Sequence, residues 1–210
     1  MKYKVMIVED QTMPRELFEL RIQSSAHFET ALSIDNAALA DVYCLRVPVD
    51  LILMDVVTRN GESGLDAAER IKRAFPQIKI IIVTSMPECS YLKRAREIGV
   101  ESFWYKEEQR EGLLDVMERT MAGESVYPDA MPELQLGLAS SYEFTDRKLE
   151  VLREMTVGDT NQEIADRLHM SIATVKTHIL NMLEKTGFRN RTELAVRARE
   201  SGLVILNRRK

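Results

Sequence analysis

Only two cysteines occur in this chain, Cys44 and Cys89, 45 positions apart and in no C-x-x-C arrangement. That excludes a disulfide scaffold and a thiolate metal cluster, and points to two reduced, packed thiols in a cytosolic protein. No apolar stretch approaches the ~18 residues of a membrane helix, and no basic-then-apolar leader opens the chain, so a cytoplasmic protein without membrane association is expected. Internal repeats and low-complexity tracts are also missing. Excess positive charge is confined to one end: residues 1–140 carry a net charge of −7 and residues 141–210 one of +3, which together make the overall −4. An acidic first part followed by a mildly basic second part fits a nucleic-acid-binding portion attached to an acidic domain.

What is present is a set of short apolar runs, each ending in a reactive side chain. Lys4-Val5-Met6-Ile7-Val8 runs into Glu9-Asp10, Leu51-Ile52-Leu53-Met54 into Asp55, and Ile80-Ile81-Ile82-Val83 into Thr84-Ser85; a weaker run, 102–105, ends at Lys106. Continuous β-branched runs of this length read as parallel strands buried on both faces. Residues 28–34 supply a further strand. Helical patterns fall between the strands over 13–25, 36–46, 65–75, 91–98 and 108–121. The expected fold of residues 1–122 is therefore α/β, a doubly wound (βα)5 parallel sheet.

Residues 123–143 break the rhythm with Gly123, Pro128, Pro132, Gly137 and Ser140-Ser141, and read as an interdomain linker. Residues 144–210 are helical throughout. Four helices are expected, with Thr145, Asn161, Ser171 and Thr192 placed to cap them. The short second helix, a brief turn and the third helix with its apolar stripe inward form a helix-turn-helix.

Open parallel sheets gather ligands at the carboxyl ends of their strands. If the runs are neighbours, three carboxylates, a hydroxyl and an ammonium meet in one crevice. A carboxylate oxygen attacks phosphorus to give an acyl phosphate, which makes Asp55 the expected phosphoryl acceptor. The anionic group needs a hard divalent cation, Mg2+, held by Glu9, Asp10 and Asp55. Lys106 supplies a point charge for a phosphoryl oxygen, and the Thr84 hydroxyl a hydrogen bond. A phosphatase using an aspartyl phosphate usually has a second acid two residues on, where Val57 stands. A flavodoxin-like carrier needs a phosphate-cradling loop after the first strand, where Glu9-Asp10-Gln11-Thr12 is too acidic. An enzyme is not expected. A regulator of the same fold controlled without phosphorylation remains the alternative.

On Glu9-Asp10, Asp55, Thr84 and Lys106, residues 1–122 resemble a two-component receiver domain. The resemblance implies a sensor histidine kinase as phosphoryl donor, the Val57 carbonyl as a further metal ligand, and Thr84 with Phe103 as the switch pair. The chain departs from the family pattern in carrying Glu-Asp for the commoner Asp-Asp. It also has Thr58-Arg59 where Met-Pro is usual, and Gly64 one residue late, so a longer loop is expected after Asp55.

Residues 144–202 resemble the LuxR-type helix-turn-helix of the NarL/FixJ regulators. The match lies in Phe144-Thr145-Asp146-Arg147, Asn161-Gln162-Glu163-Ile164-Ala165, Thr174-Val175-Lys176-Thr177-His178 and Asn190-Arg191-Thr192-Glu193-Leu194. It implies a third helix in the major groove of double-stranded DNA and a homodimer in the active state. The expected contacts are Thr174, Lys176, Thr177, His178, Asn181, Lys185, Arg189 and Arg191, where Lys and Asn suit base edges or phosphates. The implied function is a DNA-binding transcriptional response regulator.

Overall fold

Strands Leu51–Asp55 and Lys79–Thr84 lie at the centre of a five-stranded parallel sheet, where unbroken apolar runs are the only sequences that bury both faces. The computed structural model describes residues 2–85, 89–106, 112–129 and 133–204. The chain divides into two units near residue 130. In the first, β1 (Tyr3–Val8), α1 (Thr12–Gln23) and β2 (Phe28–Ile34) lead to a one-turn 3-10 helix (Ala37–Leu39) and α2 (Ala40–Cys44). β3 (Leu51–Asp55), the two-residue strands β4 (Val57–Thr58) and β5 (Glu62–Ser63), and α3 (Gly64–Ala74) follow. β6 (Lys79–Thr84), α4 (Cys89–Ile98), β7 (Ser102–Tyr105) and α5 (Leu113–Met121) complete it. The first turn of the helix expected over 108–121 lies outside the described residues.

The strand order is β2-β1-β3-β6-β7, all parallel, so the sheet reverses direction of growth between β1 and β3. Alternation along each strand divides the core into two layers. Val5, Ile7, Leu51, Leu53, Ile81 and Val83 face Phe18, Ile22, Val116 and Met117 of α1 and α5. Removing such side chains from water contributes about 2 kcal/mol each. In α1 the burial rests on Phe18 and Ile22, whereas Leu17 and Leu20 are 48% and 63% exposed.

The segment read as a linker carries structure at both ends. Val126 is buried with the first unit's core, and its carbonyl accepts from the Phe103 amide at 2.8 Å. Further on, β8 (Gln135–Leu136) and β9 (Ala139–Ser140) form a hairpin whose Leu136 and Ala139 belong to the second unit's core. Gly137 turns the hairpin at φ 63°, and a Cβ there would stand 2.1 Å from the Thr186 carbonyl oxygen.

The second unit continues with α6 (Asp146–Val157), α7 (Asn161–Arg167), α8 (Ile172–Thr186) and α9 (Arg191–Glu200) around Leu149, Leu152, Ile164, Val175, Met182 and Leu194. Thr145 and Ser171 cap α6 and α8 as their spacing predicts. The other two caps fall one or two residues earlier than expected. Thr160, in a reciprocal capping box with Glu163, caps α7, and Asn190 caps α9. His169, at φ 52°, carries the turn between α7 and α8. No helix among the described residues is long and apolar enough to cross a membrane.

Candidate functional site: an acidic crevice and a two-faced helix

Register places the acidic groups side by side. Val8 of β1 pairs with Met54 of β3, so Glu9 and Asp55 leave the sheet at the same level. Thr84 of β6 pairs with Tyr105 of β7, and the Lys106 amide donates to the Thr84 carbonyl at 2.9 Å. Oxygen atoms of Glu9, Asp10 and Asp55 all lie within 4.8 Å of one another. The Lys106 ammonium donates to Glu9 Oε2 at 2.5 Å and to Asp55 Oδ2 at 2.8 Å. Thr84 is fully buried beside this group at the end of its strand. Hard carboxylate oxygens converging on one point, partly open through half-buried Asp10, fit a divalent cation that keeps several waters.

Burial sets the electrostatics. Glu9 is fully buried and Asp55 is 5% exposed. Desolvation, reinforced by the Glu9 charge, pushes the Asp55 carboxyl up to about 7, against the opposing pull of Lys106 and of the Val56 amide, which donates to Asp55 Oδ1 at 2.7 Å. For Lys106, burial works against the charged form, but the paired carboxylates of Asp55 and Glu9 outweigh it and raise its pKa. Glu9 is held from its backbone too: its amide donates to the Ile34 carbonyl at 2.9 Å, and the Arg15 guanidinium donates to its carbonyl at 3.2 Å.

The loop after Asp55 is a small hairpin, which accounts for its extra length. Val57 pairs with Ser63 and Thr58 with Glu62, and Asn60 and Gly61 turn the chain at φ 64° and 74°. Gly64 closes it by donating to the Val56 carbonyl at 2.8 Å. A Cβ on Gly64 would stand 1.8 Å from the Asp55 carbonyl oxygen, so only glycine fits. Thr58 and Arg59 anchor this hairpin through Ala37 and Asp35, contacts too distant along the chain for the sequence to display. The departure from Met-Pro at those two positions was the visible signal.

Phe103 lies inside, 2% exposed, edge-to-face with Tyr105 at 5.1 Å between ring centroids and tilted against Tyr127 at 6.3 Å. Trp104, on the opposite face of β7, packs edge-to-face on Phe18 at 6.5 Å.

Residues 5–118 match the family model of the response regulator receiver domain, and residues 143–198 that of bacterial regulatory proteins of the luxR family. The chain belongs to the response regulators. Response regulator protein VraR of Staphylococcus aureus (strain Mu3) is 33% identical over 217 aligned residues, covering 97% of this chain and 100% of VraR. The fold matches that of RcsB from Salmonella enterica serovar Typhimurium bound to promoter P1flhDC with the phosphomimetic BeF3−, at TM-score 0.62 and 19% identity over 97% of this chain and 100% of that one. Response regulator ChrA of a heme-sensing two-component system matches at TM-score 0.51 and 21% identity over 96% and 98%. This response regulator therefore joins a receiver domain to a LuxR-type DNA-binding domain, in the NarL/FixJ pattern.

In the LuxR-type domain, α8 shows two faces. Val175, Ile179 and Met182 are buried, while Thr174, Lys176, Thr177, Leu180, Asn181 and Lys185 are exposed and His178 is half-buried. Ile172, at the start of α8, is 38% exposed. Several expected DNA contacts have partners of their own. Thr174 Oγ1 lies 2.8 Å from Ser171 Oγ, and Thr177 Oγ1 donates to the Ala173 carbonyl at 2.9 Å. Lys185 pairs with Glu143 at 2.6 Å, which holds that carboxyl below its ordinary range. Arg191 donates to Asn161 Oδ1 at 3.0 Å and to the Asp159 carbonyl at 2.7 Å, tying α9 to the start of α7. Arg189 is exposed just past α8.

Proposed function

We propose that Asp55 accepts a phosphoryl group from a sensor histidine kinase and that the phosphorylated protein binds DNA as a homodimer. The observation that carries this reading is the meeting of Glu9, Asp10, Asp55 and Lys106 at one sheet edge, with Thr84 buried beside them. Mg2+ would be held by Glu9, Asp10, Asp55 and the Val57 carbonyl, and when bound it neutralises charge on the transferring group. Deprotonated Asp55 Oδ attacks phosphorus, the bond to the donor breaks, and the donor keeps the electron pair. Lys106 then trades part of its pairing with Asp55 for a phosphoryl oxygen. The Thr84 hydroxyl donates to another, and the movement is relayed to Phe103 on the adjoining strand. That change biases the receiver between an inactive and an active arrangement.

DNA recognition is assigned to α8, with Lys176 and Asn181 toward base edges or phosphates and Thr177 toward a thymine methyl or phosphate. Thr174, His178, Lys185, Arg189 and Arg191 complete the set. Arg191 spends two of its five donors inside the protein and keeps the others for a phosphate. Two protomers would read paired half-sites. The test is DNA affinity for a site selected from random sequence, with and without a small phosphodonor and Mg2+. A gain in affinity that Asp55→Ala abolishes supports the reading; equal affinity in both conditions contradicts it.

A further inference from the structure

Thr58 is a buried anchor of the loop after Asp55. It is 2% exposed, and its Oγ1 makes two hydrogen bonds in opposite senses. It accepts from the Ala37 amide at 2.9 Å and donates to the Glu62 carbonyl at 3.2 Å. Next to it the Arg59 amide donates to the Asp35 carbonyl at 3.3 Å, and the Arg59 guanidinium pairs with the Asp35 carboxylate at 2.6 Å. The same short segment, Ile34 to Ala37, also receives the Glu9 amide through the Ile34 carbonyl at 2.9 Å. One stretch of backbone thus anchors both Glu9, through Ile34, and Thr58-Arg59, through Ala37 and Asp35.

Resting on the proposed function, we propose that Thr58 is a positioning residue for the divalent cation. Its hydroxyl fixes the short hairpin that carries the Val57 carbonyl, so the acidic side of the site and the carbonyl side keep one spacing. A two-residue strand pair cannot hold itself in water. Its position is set by what pins it, and Thr58 is the buried pin. Losing the hydroxyl leaves the Ala37 amide and Glu62 carbonyl with one fewer partner and lets the hairpin drift away from Glu9.

The experiment uses the full-length protein. Mg2+ affinity is measured by calorimetry for wild type, Thr58→Val and Thr58→Ser, alongside thermal melting. Thr58→Val keeps the volume and removes the hydroxyl with both of its hydrogen bonds, and weakens Mg2+ binding by about tenfold. Thr58→Ser keeps near-wild-type affinity. Equal Mg2+ affinity in wild type and Thr58→Val overturns the proposal, as does a loss in Thr58→Ser as large as in Thr58→Val. A second measurement needs no variant. Because linkage is reciprocal, Mg2+ binding to wild type slows hydrogen exchange at the Ala37 amide. An unchanged exchange rate there overturns the proposal even if Thr58→Val fails to fold. Wild type that binds no Mg2+ contradicts the proposed function as well, which separates that failure from this one.

Discussion

Lys106 and Asp55, 51 positions apart in sequence, form a nearly buried ion pair at 2.8 Å, and the same ammonium reaches Glu9 at 2.5 Å. One ammonium thus bridges two carboxylates that have almost no contact with water.

Removing that cation is therefore costly. Lys106→Ala leaves two buried carboxylates unpaired and should lower the stability of the metal-free protein by about 3 kcal/mol. Millimolar Mg2+ should recover much of the loss, since the ion replaces the missing positive charge. Urea denaturation of wild type and variant, each with and without Mg2+, checks both parts.

The raised Asp55 pKa carries a pH dependence of definite sign. With the native group near 7 and the unfolded one near its ordinary 3.8, the native state holds the extra proton between these values. Stability falls with rising pH wherever the native state binds more protons. Metal-free wild type should therefore lose stability relative to Asp55→Asn as pH rises from about 4 to about 7, and level off above. The Mg2+-induced increase in melting temperature should grow over the same range, because the cation prefers the ionised carboxylate. Melting curves of both proteins across this range decide it.

Gly64 packs its α-carbon against the backbone of Asp55. Gly64→Ala brings a methyl to 1.8 Å from the Asp55 carbonyl oxygen, a distance that forces the loop to move. The expected cost is about 2–4 kcal/mol of stability, together with weakened Mg2+ binding. Denaturation and calorimetry read the two effects separately.

Two cationic residues of the DNA-binding domain, Lys176 and Arg191, should behave differently. Lys176 is exposed on α8, and Lys176→Ala should weaken DNA binding and lower the salt-dependence slope by about one. Arg191 is bonded to Asn161 and Asp159. Arg191→Ala should cost about 1–3 kcal/mol of stability through those lost bonds, besides any loss of phosphate contact. Affinity measured over a range of salt, with melting curves beside it, distinguishes them.

The parallel sheet was legible because buried strands leave continuous apolar runs, and the reactive residue after each run marked the edge where they meet. The grouping of acidic residues was legible too: Glu9, Asp10, Asp55 and Lys106 come together at the ends of the strands their positions marked. What sequence hid were features made by contacts distant in the chain. Strands β4 and β5 are two residues each, too short to show a period, and the Thr58 anchor depends on Ala37, 21 positions earlier. The hairpin near Gly137 reads as linker because glycine and proline punctuate it, while its Leu136 and Ala139 are buried in a core built from much later residues. Lys185 and Arg191 look like DNA contacts by position alone; their partners, Glu143 and Asp159, lie 42 and 32 positions away.

The most direct measurement is the intact mass of the protein after incubation with a small phosphodonor and Mg2+. Wild type should gain the mass of a single phosphoryl group, lose it again on acid or base hydrolysis of the acyl phosphate, and show no gain when Asp55 is replaced by Asn. An unchanged wild-type mass, or a phosphoryl group that persists in Asp55→Asn, would contradict phosphorylation at Asp55 as the control of this protein.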